Sequence, residues 1–260
     1  DHYTKSGRTV DVPNAPSDAY GQAGVNDEPQ LYWRLGETGG ATTAVDASGN
    51  VQDGTYYNNP TQGVPSDVVE GNTAAGFNGS NQGVSSKNSF DNPTTFSAEA
   101  WFKTTSTNGG KILGFGNAAS GNSSNYDRHI YMNGSGYLMF GTWTGTANVA
   151  TSSKTYNDGQ WHHVAATLGS NGMQLFVDGV LVATHNNTAA QSYSGYWRAG
   201  GDVSWEGANY FNGTIDEVAV YDSVLTLNQV RAHYRAAGAS HNQFPPAPSA
   251  ATARPPAIAT

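Results

Sequence analysis

The sequence has no cysteine, few charged residues and no long apolar run, and each of these absences excludes a class of protein. Without cysteine among its 260 residues, the chain forms neither disulfides nor cysteine-ligated zinc sites. Only 12% of the residues are charged, and the net charge of −8 disfavours a nucleic-acid partner, because phosphate binding requires clustered Lys and Arg. No run of about 18 apolar residues is present, so no membrane span is predicted.

The abundant residues suit short strands joined by turns. Glycine occurs 32 times and tyrosine 14 times, among many Asn, Ser and Thr. Runs of strand-forming residues recur at intervals of roughly 8–12 positions with turn residues between them, and no strand–helix–strand alternation is seen. This pattern predicts an all-β fold, a two-sheet antiparallel β-sandwich of the jelly-roll type.

Two turn and cap signals are the clearest in the chain. Asp178 and Gly179 separate two apolar runs and predict a tight hairpin. Thr226, followed three residues later by Gln229, forms a capping-box pattern, which predicts one short C-terminal helix that stops at Gly238.

The ends of the chain differ from its middle. Residues 1–26 contain several prolines and no clean period, so they are interpreted as a mostly irregular lead-in to a domain over residues 27–240. A His-Tyr-x-x-small-Gly pattern at 2–7 recurs at 233–238. If the repeat is real, the first residues are the tail of a preceding similar domain; chance similarity is the alternative. Residues 241–260, rich in Pro and Ala, predict a linker to a neighbouring domain.

The run 211–222 contains an unusual carboxylate. Strand alternation places Asp216 on the same face as Val218 and Val220, and Glu217 on the opposite face. A carboxylate on an apolar face must be paired, hydrogen-bonded or bound to a metal ion. Asp216 is therefore a candidate for one of these roles.

Seven segments in consistent order resemble the bacterial laminin-G-like jelly rolls of the concanavalin A-like lectin/glucanase superfamily. The resemblance covers residues 27–238 and implies two antiparallel sheets stacked face to face. Such folds include lectins, hydrolases, lyases and adhesive modules, so the resemblance specifies the fold better than the function. The matching segments are 31–37, 46–50, 77–79, 96–102, 159–164, 175–179 and 211–218.

A structural calcium ion is expected from the resemblance together with a loop rich in oxygen ligands. Asp46, Ser48 and Asn50 surround Gly49, and hard oxygens on a glycine-bearing loop are what Ca²⁺ selects. Jelly rolls of this superfamily use an Asp of the last strand as a ligand, which implies that Asp216 joins Asp46 and Asn50. The alternative is a plain Asx turn at Asp46, with Asp216 capping backbone N–H groups.

Catalysis is not predicted. Hydrolases of the superfamily carry Glu-x-Asp-x-x-Glu along one strand, whereas Asp216 and Glu217 are adjacent and Glu99 stands alone on its strand. The Arg, Gln, His and Tyr clusters of the lyases are not found in their motif order. His162 and His163 alternate on one strand, so they cannot share a metal ion and are interpreted as structural.

Aromatic residues crowd the second half of the chain and predict a sugar-binding surface, because sugars stack on Trp and Tyr while polar side chains bind their hydroxyls. Trp143 and Trp205 have small polar neighbours and are expected to be more exposed than Trp33, Trp101 and Trp161. The alternative is that half of these aromatics fill the core. The candidates for ligand contact are Tyr126, Asp127, Arg128, Tyr131, Trp143, Trp197 and Trp205.

Together these observations predict a non-catalytic carbohydrate-binding module of a secreted, multidomain bacterial protein, with a glycan as its partner. The first residue is Asp, which suggests a piece of a longer chain. A structural or adhesive spacer without sugar binding is the alternative, and a polysaccharide hydrolase or lyase is a third interpretation.

Overall fold

The computed structural model describes residues 16–237, which form two antiparallel sheets of eight strands each. The predicted sandwich is therefore confirmed. The linker at 241–260, the repeat at 2–7 and the helix stop at Gly238 lie outside the described residues.

The strands are β1 (Leu31–Trp33), β2 (Thr43–Ala44), β3 (Gly54–Tyr57), β4 (Thr61–Pro65), β5 (Thr73–Asn78), β6 (Gly83–Ser86), β7 (Phe96–Lys103), β8 (Gly110–Gly116), β9 (Tyr126–Met132), β10 (Tyr137–Trp143), β11 (Ala147–Thr155), β12 (Trp161–Gly169), β13 (Gly172–Val177), β14 (Val180–His185), β15 (Tyr196–Ala199) and β16 (Asn212–Tyr221).

The strand order interleaves the two halves of the chain. The first sheet runs β14-β13-β12-β7-β16-β5-β4, and β1 pairs with the second half of β16. The second sheet runs β11-β10-β9-β8-β15-β6-β3-β2. Because β16 pairs with β7 on one side and with β5 and β1 on the other, the last strand lies near the middle of the first sheet.

The main core lies between the sheets and follows the alternation of side chains. On β7, Phe96, Ala98, Ala100 and Phe102 face this core, and Trp101 faces the opposite side of the first sheet. Burial of such apolar side chains contributes roughly 25 cal/mol per Å² removed from water, the dominant favourable term in folding.

The hairpin signal is also confirmed. Val177 on β13 pairs with Val180 on β14. The two turn residues between them have left-handed backbones, with φ of 50° at Asp178 and 71° at Gly179. Two consecutive positive φ values match the right-handed twist of a two-residue hairpin, which explains Asp-Gly at this turn.

Two helices cover the outer side of the first sheet. The predicted helix is α2 (Leu227–Ala236), and its capping box between Thr226 and Gln229 is formed. The other, α1 (Ala19–Asn26), starts at Asp18, whose side chain accepts a hydrogen bond from the backbone N–H of Gly21. Neither helix of the described chain is long and apolar enough to cross a bilayer.

The expectation of an irregular lead-in is wrong for residues 19–26. Tyr20 of α1 packs edge-on against Trp101 with ring centroids 6.3 Å apart, and Val25 is also buried. Glycines at positions 21 and 24 weaken the helical signal of this segment, because glycine disfavours helices. Packing on the sheet stabilises the helix in spite of its composition.

A β-bulge changes the facing of residues in β16. The register with β7 shifts between Asp216 and Ala219, and Glu217 has a φ of 52°. Val218 and Val220 face the core between the sheets. The bulge places Asp216 and Glu217 together on the other side, so the predictions that they point apart and that Asp216 shares the face of the valines are wrong.

Candidate functional site

The most exposed aromatic pair lies on the outer face of the second sheet. Trp143 ends β10 and is 36% exposed, and Trp205 lies half-buried in the loop between β15 and β16. Their rings meet edge to face with centroids 6.1 Å apart. The prediction that these two are more exposed than Trp33, Trp101 and Trp161 is confirmed.

Glycine in β10 lets the indole of Trp205 lie directly on the sheet. A Cβ on Gly141 would lie 2.5 Å from Cζ3 of Trp205 and 3.0 Å from Nε2 of His129. The loop that carries Trp205, residues 201–210, is closed at its base, where Gly201 bridges Tyr210. We refer to it as the Trp205 loop.

Beneath Trp205, two side chains of β9 point outward from the sheet. His129 meets Trp205 edge-on at 4.5 Å between centroids and lies 4.5 Å from the ring of Tyr131. Both are buried, and neither the His129 ring nitrogens nor the Tyr131 hydroxyl has a hydrogen-bond partner among the described residues. Burial, with a smaller effect of Lys111, lowers the pKa of His129 well below its usual range, so its imidazole is neutral at pH 7.

A second group of buried polar side chains adjoins these two. The Lys111 ammonium on β8 lies 3.7 Å from Asp202 Oδ2, and Arg198 of β15 lies 3.3 Å from Asp202 Oδ1. The Lys111 ammonium also lies 5.2 Å from the ring centroid of Tyr126. Burial lowers the pKa of Lys111 to about 8 although Asp202 opposes the shift.

Only some of the predicted ligand residues lie at the surface. Tyr126 is half-buried, whereas Tyr131 and Trp197 are 0% exposed. Trp197 packs between Phe96 and Phe115 in the core, with centroids 5.3 and 5.1 Å away. It is one of the aromatics that fill the sandwich, as the alternative interpretation held.

Asp127 and Arg128 are also buried, and they hold the surface in place instead of forming it. The two side chains pair at 2.6 Å. Asp127 Oδ2 accepts hydrogen bonds from the backbone N–H of Trp143 at 3.0 Å and of Gln191 at 2.9 Å, and Oδ1 accepts one from the Tyr193 hydroxyl at 2.9 Å. The position of Trp143 therefore depends on Asp127.

Four buried polar residues of this region were not among the predicted site residues. Lys111, His129, Arg198 and Asp202 occupy outward positions of strands or the base of a loop. Alternation along β9 marks His129 and Tyr131 as one outward face, but their neighbours on β8 and β15 come together only through the sheet order.

The predicted calcium ligand Asp46 has its carboxylate satisfied by hydrogen-bond donors. Oδ1 accepts from the backbone N–H of Tyr32 at 2.8 Å and of Ser48 at 3.0 Å. Oδ2 accepts from the Ser48 hydroxyl at 2.7 Å and the N–H of Gln52 at 2.9 Å. This is the Asx-turn arrangement, and it leaves Asp46 few lone pairs for a metal ion.

The three metal-ligand candidates do not converge in this structure. Asn50 donates its amide to the carbonyl of Pro29 at 2.8 Å, whereas Asp216 bonds to other elements. Among residues 16–237, no group of three or more His, Cys, Asp or Glu side chains has metal-binding geometry. The residues as placed do not fit a calcium site made of Asp46, Asn50 and Asp216.

Asp216 and Glu217 instead form a buried carboxylate pair that meets at Asn72. The Asn72 amide donates to Glu217 Oε1 at 2.9 Å and lies 3.4 Å from Asp216 Oδ1. Ser66 donates to Asp216 at 2.6 Å, and Arg34 pairs with Glu217 at 2.7 Å. Burial raises the pKa of both carboxyls, and their mutual repulsion raises that of Asp216 further, well above its usual range.

Glu99 belongs to a buried network with two histidines. Its carboxylate lies 3.0 Å from Nδ1 of His233 and 3.2 Å from Nε2 of His163, and it accepts a bond from the Tyr221 hydroxyl at 2.7 Å. His162 points to the opposite side of β12, where it contacts Asp178 and Asp158. The predicted separation of His162 and His163 is confirmed.

Comparisons with known proteins agree with this architecture. Residues 78–231, more than half of the chain, match a laminin G family model described as the concanavalin A-like lectin/glucanases superfamily. No curated protein sequence matches the chain.

Two solved structures illustrate the similarity in fold. Domain 4 of AbnA, a GH43 extracellular arabinanase from Geobacillus stearothermophilus in complex with arabinotriose, superposes with a TM-score of 0.52 at 19% identity, over 80% of this chain and 98% of that one. A Trypanosoma rangeli sialidase in complex with sialic acid superposes with a TM-score of 0.56 at 14% identity, over 78% of this chain. The match spans only 32% of the sialidase chain. At these identities the comparisons support the fold.

Proposed function

This chain belongs to the concanavalin A-like lectin/glucanases superfamily, and from that premise we propose that it is a non-catalytic carbohydrate-binding module of a secreted, multidomain bacterial protein. The observation that carries the proposal is the pair of Trp143 and Trp205 on the outer face of the second sheet. The partner is a glycan, and neighbouring domains of a longer protein would supply any catalysis.

The geometry of the pair suits a sugar ring. Apolar faces of sugars stack on indoles, and nearby polar groups bind the hydroxyls. The indole planes of Trp143 and Trp205 are inclined at 61°, with exposed Glu206 next to Trp205 in sequence and half-buried Tyr126 beside His129. Asp127 holds the backbone of Trp143, and the indole of Trp205 lies against Gly141, so the surface is largely formed before a ligand binds, which favours affinity.

The similar AbnA domain supports this choice of ligand class. That domain, nearly all of which aligns with this chain, was solved with arabinotriose bound. At 19% sequence identity, the comparison specifies neither the sugar nor the residues that would bind it in this chain. A glycan is therefore proposed as a class, without a named sugar.

A catalytic role is not part of the proposal, because the carboxylates do not flank an open site. Asp216 and Glu217 are 0% exposed, and Glu99 is 1% exposed and bound to two histidines. A glycosidase requires two carboxyls on either side of an accessible glycosidic bond. No such placement exists among these three residues.

Calcium binding by Asp46, Asn50 and Asp216 stays a prediction, and Asp216 is the one of the three that lies beside another buried carboxylate, that of Glu217. One guanidinium, that of Arg34, pairs with Asp18 and Glu217 beside Asp216. A cation there would relieve the repulsion between the buried carboxylates.

The test is a glycan array probed with the whole chain, followed by an activity screen on every polysaccharide that binds. We expect retention on at least one class of plant, algal or microbial polysaccharide and no release of reducing sugar. Absence of binding across the array would overturn the proposal in favour of a structural or adhesive spacer. Release of sugars or of unsaturated products would instead identify a hydrolase or a lyase.

A further inference from the structure

An open groove lies at one end of the first sheet, where β7 ends and β16 begins. Lys103, the last residue of β7, pairs with Thr214 of β16, so the two side chains lie on the same face of the sheet. That face is the outer one, because Lys103 is two residues from outward-facing Trp101. The cavity measures about 290 Å³ and is lined by residues 103–106, 159 and 212–214. We call it the Lys103 groove.

The volume of the groove limits what it can hold. Small-molecule sites in proteins measure about 300–1,000 Å³, so a groove of about 290 Å³ lies at the lower end of that range. It therefore has room for one small unit of a ligand rather than for several.

Hydrogen bonds join the three segments that form the groove. The Thr104 hydroxyl donates to the carbonyl of Asn212 at 2.6 Å and accepts from the N–H of Ser106 at 2.9 Å. The N–H of Gly159 donates to the carbonyl of Thr104 at 2.9 Å. The walls are thus in place without any movement of the chain, and a preformed site loses little freedom on binding.

Two glycines let these segments approach one another closely. Gly159 has a left-handed backbone with a φ of 79°, and a Cβ on it would lie 3.0 Å from Cγ2 of Thr105. A Cβ on Gly213 would lie 2.4 Å from the carbonyl oxygen of Lys103. Glycine meets both requirements, since it has no Cβ and adopts positive φ readily.

Several polar side chains of the groove are left for a ligand. Within residues 16–237, no hydrogen bond or ion pair engages the side chains of Lys103, Thr105, Asn212 and Thr214. Thr105 and Asn212 are exposed, and Lys103 and Thr214 are half-buried. One cavity therefore brings together an ammonium, two hydroxyls and a carboxamide.

This set of groups favours a sugar over a simple anion. Threonine hydroxyls and the Asn212 carboxamide both donate and accept hydrogen bonds, as sugar hydroxyls do, whereas an anion would use only the donors. The one cation, Lys103, also has an acidic neighbour, because Asp158 precedes Gly159 and pairs with His162 at 3.1 Å. The methylene groups of Lys103 provide apolar contact for the C–H groups of a sugar ring.

We propose that the Lys103 groove binds one neutral sugar residue and is a second glycan site, on the first sheet, apart from Trp143 and Trp205 on the second. The inference rests on the proposed carbohydrate-binding function and adds a site to it. Two sites on different sheets allow one molecule to engage a polysaccharide at two places. Retention on a polymer then exceeds what either site provides alone.

The experiment maps the binding of monosaccharides on the whole chain by NMR. Proton–nitrogen correlation spectra are recorded while the methyl glycosides of glucose, galactose, mannose, xylose and arabinose are added in turn. We expect at least one glycoside to shift the backbone amides of residues 103–106, 159 and 212–214. The mapping uses the wild-type chain, so it does not depend on the folding of any variant.

Two variants then test the side chains. Thr214→Val replaces a hydroxyl by a methyl group and should weaken this binding about fivefold, which corresponds to one hydrogen bond of about 1 kcal/mol. Lys103→Met should weaken it further, because hydrogen bonds from a charged donor are stronger. The matched controls are Thr184→Val on β14 and Lys154→Met on β11, both exposed and outside the groove, and they should bind normally.

The outcomes separate the groove from the broader function. Amide shifts confined to the surroundings of Trp143 and Trp205 would overturn the groove and leave the proposed function standing. Unchanged affinity in both Thr214→Val and Lys103→Met would likewise overturn it. Shifts at the groove alone would support the groove and count against the aromatic face. If no glycoside shifts any amide, the groove is overturned, and the glycan array decides the broader function separately.

Discussion

The carboxylate of Glu99, in the middle of β7, is bound by His233 of α2, whose Nδ1 lies 3.0 Å from both carboxylate oxygens. The other nitrogen of His233 lies 2.9 Å from Asp27, next to the end of α1. One imidazolium of α2 therefore joins the first sheet to the end of α1. Burial alone would raise the pKa of Glu99, but His233 and His163 hold it well below its usual range.

This pairing predicts a fall in stability at alkaline pH. Burial acts to lower the pKa of His233, but Glu99 and Asp27 raise it to about 10, against about 6.5 in an unfolded chain. A raised folded-state pKa contributes stability that is complete below pH 6.5 and is lost as the pH rises towards 10. The melting temperature should therefore be lower at pH 9 than at pH 6, as measured by differential scanning calorimetry.

The variant His233→Gln should flatten this dependence in part. Burial acts to lower the pKa of His162, but Asp178 and Asp158 raise it above its usual value. The stability that His162 contributes is therefore also lost as the pH rises, so some slope remains in His233→Gln. His185→Gln, on the edge strand β14, is the matched control and should retain the wild-type slope. An unchanged slope in His233→Gln would contradict the assignment.

Replacing Glu99 should be more damaging than replacing either histidine. Glu99→Gln leaves protonated His233 with Asp27 as its one carboxylate partner and removes the buried carboxylate that it faces, and breaking a buried ion pair costs about 3–5 kcal/mol. Urea unfolding at pH 6 measures the loss. A change of less than about 1 kcal/mol, the range of surface pairs, would show that the network contributes little.

The exposed indoles should control retention on polysaccharide. Trp143→Ala and Trp205→Ala each remove a stacking surface, and we expect affinity to fall about tenfold, the equivalent of about 1.4 kcal/mol. Affinity electrophoresis measures retention, and thermal unfolding checks that each variant is folded. Leu181→Ala removes an exposed apolar side chain from the first sheet and should bind normally. Unchanged retention in both tryptophan variants would remove this face from consideration.

Local patterns predicted those parts of the fold that depend on neighbours in sequence. Alternation gave the facing of Phe96 and Phe102, and Asp178-Gly179 and Thr226 marked a turn and a cap. Each of these depends on a few adjacent residues. They needed no knowledge of distant contacts.

The failures occurred where a distant contact overrides a local preference. Nothing in the sequence marks Glu217 for a left-handed backbone, a conformation in which glutamate is uncommon. Tyr32, Arg34 and Asn72 all bind its carboxylate and hold it there. The buried polar group of Lys111, Arg198 and Asp202 was missed for a related reason, because Lys111 and Arg198 lie on strands that only the sheet order makes neighbours.

Asp127 should matter for stability and for binding at once. Asp127→Ala leaves buried Arg128 without its carboxylate and removes the acceptor for the N–H of Trp143, so we expect a loss of about 3–5 kcal/mol in urea unfolding. Where the variant remains folded, affinity for the glycan should also fall. Asp91→Asn alters an exposed carboxylate on a nearby loop and should change stability by less than about 0.5 kcal/mol.

Calcium is tested most directly through the Asp216 carboxyl. A ligand that binds only the folded chain at one hundred times its Kd stabilises it by about 2.7 kcal/mol, which raises the melting temperature of a domain this size by several degrees. Addition of calcium should therefore raise the melting temperature, and a chelator should reverse the rise. Asp216→Asn should abolish the effect, whereas Asp222→Asn, an exposed residue just beyond the same strand, should keep it. If neither calcium nor chelator shifts the wild-type melting temperature, the carboxylate pair is stabilised by the side chains that contact it, which are Tyr32, Arg34, Ser66 and Asn72.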